Sequence, residues 1–98
     1  MSYRNTFAEH VRLCILRILS EGGYEANNSI LTDAVNDFGL PCARDFVETQ
    51  LAWLEEQMLV TLERPIPQVT VARLSKRGHE VAAGRASVPG VKKRGPEE

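Results

Sequence analysis

Pro65 and Pro67, set between two short runs of alternating apolar residues, constrain this fold more than any other feature of the chain. Proline has no N–H to give to a strand ladder, so the pair belongs at a hairpin tip. Before it, Val60 and Leu62 alternate with Thr61 and Glu63. After it, Val69 and Val71 alternate with Thr70 and Ala72. That period of two is the signature of strands. The sequence therefore predicts a two-stranded antiparallel hairpin, with strands over residues 59–63 and 69–74 and the tip at Pro65–Gln68. Leu74-Ser75-Lys76-Arg77-Gly78 follows, with Ser75 placed to cap a short helix running to about Ala83 and ended by Gly84.

Upstream the period changes to that of helices. A first helix is predicted over residues 6–20. Phe7, Val11, Cys14, Ile15, Ile18 and Leu19 form its apolar stripe, Leu13 and Leu16 widen it, and Gly22-Gly23 ends it. A second is predicted over residues 29–38, with Asn27, Asn28 and Ser29 as competent caps. Ile30, Leu31, Ala34, Val35 and Phe38 form its buried face. The turn Gly39-Leu40-Pro41 leads to a third helix over residues 43–57, striped by Val47, Leu51, Leu54 and Met58. Phe46 and Trp53 flank that stripe, so Trp53 is expected to be substantially buried. Cys42-Ala43-Arg44-Asp45 has capping-box spacing, with Cys42 as a poor substitute for Ser or Thr.

Ninety-eight residues suffice for one domain. Hydrophobic content of 43% and charged content of 26% are those of an ordinary globular chain. No apolar run approaches the ~18 residues of a membrane span. The first residues lack a secretory signal, which makes a cytoplasmic protein the expectation. Cys14 and Cys42 lie among apolar neighbours and read as buried thiols rather than a disulfide framework. The domain is expected over residues 1–84, with a flexible basic tail over 85–98 where apolar periodicity ends.

Charge is unevenly distributed. Residues 1–63 carry four Arg against ten acids, and residues 64–98 carry eight Lys or Arg against three acids. A basic end on an acidic body can steer an anionic partner. A short link between two helices, as at Gly39-Leu40-Pro41, is the helix-turn-helix arrangement. Its second helix offers Arg44, Asp45, Glu48 and Thr49 in its first two turns, where base edges are read. Residues 42–57 nevertheless hold one Arg against four acids. Of these, Glu48 is the one expected to stand clearly against a phosphate backbone.

His10 and Cys14 are spaced to chelate a soft metal, but no second pair with ligand spacing accompanies them, so no metal or cofactor is expected. No phosphate-binding glycine loop, paired catalytic carboxylates or nucleophile elbow is present, and no enzymatic activity is expected.

The chain resembles small winged-helix proteins encoded in Mu-like prophages, which are often labelled transcriptional-regulator-like and mostly have no assigned function. The residues that carry this are Arg12-Leu13-Cys14-Ile15-Leu16-Arg17-Ile18-Leu19, Asn28-Ser29-Ile30-Leu31, Arg44-Asp45-Phe46-Val47 and Leu51-Ala52-Trp53-Leu54-Glu55-Glu56-Gln57. Val81-Ala82-Ala83-Gly84-Arg85 and Val88-Pro89-Gly90-Val91 add to them. Leu74-Ser75-Lys76-Arg77-Gly78 is similar to the leucine-hydroxyl-x-x-glycine element of many winged-helix repressors. The chain departs from such proteins at Met58, where they often have glycine, and at Cys42, where they have Ser or Thr.

The resemblance implies an α+β winged helix-turn-helix fold: three helices, a two-stranded hairpin wing and a short C-terminal helix. That fold most often meets DNA, so duplex DNA binding in phage or prophage gene control is the expectation. On that expectation Arg44 and Thr49 face the bases, while Arg64, Arg73, Lys76 and Arg77 hold phosphates. The alternative is a protein-interaction adaptor that presents the acidic face of the third helix to a phage or host protein. The first helix is apolar enough to offer a homodimer surface.

Overall fold

A computed structural model describes residues 2–93. It is an α+β domain of four helices and a three-stranded antiparallel sheet. The order is α1 (Tyr3–Glu21), β1 (Glu25–Asn27), α2 (Asn28–Asp37), α3 (Arg44–Glu56), β2 (Val60–Ile66), β3 (Val69–Leu74) and α4 (Lys76–Ala82). The predicted hairpin is present as β2 and β3, and the sheet order is β1-β3-β2.

The expected two-stranded sheet is corrected to three strands. β1 pairs with β3 through Glu25–Arg73, Ala26–Ala72 and Asn27–Val71. Three residues are too few to display a period of two, which is why sequence patterning passed over β1. Tyr24 enters it with φ of 72°, and its carbonyl accepts from the Leu74 N–H at 2.8 Å.

α1 starts earlier than its apolar stripe, because Ser2 caps it by accepting from the Asn5 N–H at 3.1 Å. Val11, Ile15, Leu16 and Leu19 bury its inner face against Leu31 and Val35 of α2 and Val47, Leu51 and Leu54 of α3. Leu59, Val60, Ala72 and Leu74 close the core from the sheet side. No helix among the described residues is long and apolar enough to cross a membrane.

Two further expectations are corrected. Ile30 and Phe38 are not on the buried face of α2; they are 56% and 64% exposed. Trp53 is packed against the core by one side, as expected of the α3 flank, while Arg12 covers its ring at 4.0 Å from the centroid. The α3 N-cap is Ala43, with no side-chain cap bond. Cys42 lies one residue earlier, where Asn36 clamps its backbone through Nδ2 to the carbonyl at 2.9 Å and Oδ1 from the N–H at 3.2 Å.

The end of the domain also lies further on than Gly84. Val88 and Val91 are buried in the core, and the Lys92 N–H donates to the Glu9 carbonyl at 3.2 Å. Arg12 on α1 ties this segment down, donating to the Gly90 carbonyl at 2.7 Å and to Gln50 at 2.8 Å. Two isolated valines carry no period, so sequence patterning read the segment as tail. Residues 94–98 of the predicted tail lie outside the described residues.

The junction of hairpin and α4 explains the Leu74–Gly78 element. Ser75 accepts from the Gly78 N–H at 3.0 Å and donates to the Met58 carbonyl at 2.8 Å. A Cβ on Gly78 would overlap the Leu59 carbonyl oxygen. The element thus locks the start of α4 onto the turn that ends α3.

Candidate nucleic-acid interface

The predicted site residues fall into two groups. Arg44 and Thr49 lie on the first turns of α3, and Arg64 lies on β2 close to the hairpin turn, where the register with β3 slips between Glu63 and Ile66. All three are exposed. Arg44 and Arg64 make no hydrogen bond or ion pair among the described residues, and Thr49 donates back to the Asp45 carbonyl at 3.0 Å.

Arg73, Lys76 and Arg77 stand at the other end of the hairpin. Arg73 is paired in register with Thr61, about 10 Å along the strand from Arg64. It forms an ion pair with Glu25 at 2.6 Å. Its hydrogen bond to Glu25 and the charges of Glu25 and Glu63 hold its guanidinium above the usual range. Arg77 donates to the Gln57 carbonyl at 3.2 Å, beside the C-terminal end of α3. Lys76 is exposed at the first position of α4. The structure therefore does not gather the six residues into one patch.

Glu48 is the main revision to the electrostatics. It does not stand out from α3. Its Oε2 accepts from Asn28 Nδ2 at 3.2 Å and from Thr70 Oγ1 at 3.2 Å, and Asn28 also donates to the Gln68 carbonyl at 3.1 Å. Asn28 and Thr70 are both buried. This cluster binds the start of α2, the middle of α3 and the hairpin turn together. Glu55, two turns further along the same side, accepts from the Leu62 N–H at 3.2 Å. That side of α3 faces the hairpin, and Arg44 shares it because it precedes Glu48 by four residues.

The outermost line of α3 is instead Asp45, Thr49, Ala52 and Glu56, all exposed. Asp45 and Thr49 border a groove whose far wall is Arg4 and Asn5 of α1. Arg4 was not among the sequence-predicted residues. Nothing in its local pattern marks it; only the packing of α1 beside α3 brings it there.

His10 and Cys14 line a second groove, of about 200 Å³, with Leu13, Arg17, Phe38 and Leu40. Burial pushes the Cys14 thiol up to about 11, against the thiolate that a soft metal would need.

Taken together, these features define a small α+β domain with exposed Arg44 on its third helix and exposed Arg64 on its hairpin. The chain belongs to the family of the uncharacterized protein gp26 of Escherichia phage Mu. It is 47% identical to that protein over 88 residues, covering 90% of this chain and 91% of the phage protein. It is also 44% identical over 77 residues to an uncharacterized protein of Haemophilus influenzae, covering 79% of this chain and 76% of that relative. No family model matches the chain, and no solved structure matches it.

Proposed function

We propose that this domain is a winged helix that binds duplex DNA in the gene control of a Mu-like phage or prophage, without enzymatic activity. On this reading α2 and α3 are the helix-turn-helix, and the β2–β3 hairpin is the wing. The observation that carries the proposal is the charge displayed by α3 and the hairpin. Arg44 and Arg64 are exposed there, while the carboxylate of Glu48 is turned inward to Asn28 and Thr70. The like charge expected to oppose a phosphate backbone is thereby withdrawn from the surface.

In this arrangement Arg44 reads a base edge, since its guanidinium can bond bidentately to guanine. Thr49 contacts the same groove. Arg64, with Arg4 on the opposite side of α3, holds phosphates. Lys76 and Arg77 contribute at the far end of the duplex contact. Arg73 contributes least, because Glu25 already neutralises it.

A second reading rests on a different observation. Asp45 and Glu56 lie on the outermost line of α3 with no cation between them, which suits a basic protein surface better than a phosphate backbone. An electrophoretic mobility assay with random duplex DNA separates the two. Retardation at ~50 mM salt that fades as salt rises supports DNA binding. A free duplex at that salt, together with capture of a phage or host protein that is abolished by charge reversal at Asp45 and Glu56, supports the adaptor.

A further inference from the structure

Six residues of α1 fall on one line at alternating spacings of four and three: Tyr3, Phe7, His10, Cys14, Arg17 and Glu21. That is the seam spacing of paired helices. The line runs on the side of α1 away from Val11, Ile15 and Leu19. Phe7 and Cys14 on it are partly buried against the core, His10 and Arg17 are half-buried, and its ends are exposed, Tyr3 at 82%. The aromatics occupy one end. Tyr3 and Phe7 stack with centroids 6.2 Å apart, and Phe7 meets Phe46 of α3 at 5.6 Å. The other end carries Arg17 and Glu21, which border the groove with Leu40 and the exposed Phe38.

We propose that a second copy of this chain docks along this line with its α1 antiparallel. A twofold axis midway between His10 and Cys14 sets Tyr3 opposite Glu21, Phe7 opposite Arg17, and His10 opposite Cys14 of the second copy. Two of the three pairs are chemically matched. The Tyr3 hydroxyl donates to the Glu21 carboxylate. The Arg17 guanidinium lies against the Phe7 ring as a cation–π contact. Arg4, beside Tyr3, adds a favourable charge for Glu21. The same axis brings Phe38 of one copy to Phe46 of the other and fills the groove of each with the aromatic end of its neighbour. One patch serves both copies, as an isologous interface requires. A parallel pairing would instead oppose Glu21 to Glu21 and Arg17 to Arg17, and like-charge juxtaposition counts against it. This surface excludes the hairpin and Arg44 but shares Arg4 with the DNA reading, so the pairing is tested on the protein without DNA.

Sedimentation velocity on the full chain over a concentration series tests the pairing. Wild type is expected to sediment as a monomer–dimer equilibrium. Tyr3→Glu and Glu21→Lys each remove or reverse one partner and should each raise the dimer dissociation constant by about tenfold or more. The double variant Tyr3→Glu/Glu21→Lys should restore it to near the wild-type value. Rescue within one chain is excluded, because eighteen helical steps set the two positions about 27 Å apart. Both positions are exposed, and circular dichroism of each variant should match wild type. A monomer at every concentration overturns the proposal. So does a dimer indifferent to both single changes, or a double variant whose losses simply add.

Discussion

Glu48 on α3 accepts a hydrogen bond from Thr70 on β3 at 3.2 Å, and this contact joins the third helix to the hairpin. Asn28 completes the joint from the start of α2. Glu48→Ala would leave Asn28 and Thr70 buried with fewer partners, at a cost of about 1–3 kcal/mol. Glu48→Gln keeps an acceptor and should cost less. Urea denaturation of both variants checks this. Equal losses would show that the joint depends on the charge rather than on the acceptor.

Gly90 is the point where the C-terminal segment meets Trp53. A Cβ there would lie 2.5 Å from Trp53 Cζ2, and its φ of +101° already favours glycine. Gly90→Ala is expected to lose about 1–3 kcal/mol through overpacking and to free residues 88–91 from the core. Denaturation followed by Trp53 fluorescence should show both a lower midpoint and a shifted native spectrum. An unchanged midpoint would mean that the segment adds nothing to the domain.

Met58 holds a left-handed conformation, with φ of 62°, in the turn between α3 and β2. Its side chain is exposed, so its removal sacrifices little packing. Met58→Gly should raise stability by up to about 1 kcal/mol, the steric relief being partly offset by the greater freedom of glycine in the unfolded chain. A thermal midpoint that falls would show that the Met58 side chain packs against the domain despite its exposure.

The helices and the hairpin were legible in the sequence because each carries a clear period or an unambiguous stop. Pro67 marked the turn, although Pro65 falls inside β2 rather than at the tip; Gly22 and Gly39 marked helix ends, and Ser75 marked a cap that the structure confirms. β1 was not legible, since three residues hold no period and its partner β3 is distant in sequence. The candidate site was legible only as a set of residue types. That Glu48 turns inward, that Arg73 is engaged by Glu25, and that Arg4 flanks α3 are facts of tertiary packing. Spacing along one helix cannot report them.

The salt dependence of duplex binding, compared between wild type and single-arginine variants, tests the central claim most directly. Fluorescence anisotropy with a random labelled duplex would be followed from ~50 mM salt upward. Removing one cation that neutralises a phosphate should flatten the log–log slope by ~0.9. Arg64→Ala is therefore expected to flatten it by about that amount. Arg73→Ala, already neutralised by Glu25, should leave it nearly unchanged. Arg44→Ala should change the preference among duplex sequences, because base contacts specify where phosphate contacts position. Wild-type protein that leaves the duplex free at ~50 mM salt, where counterion release favours binding strongly, would contradict the account.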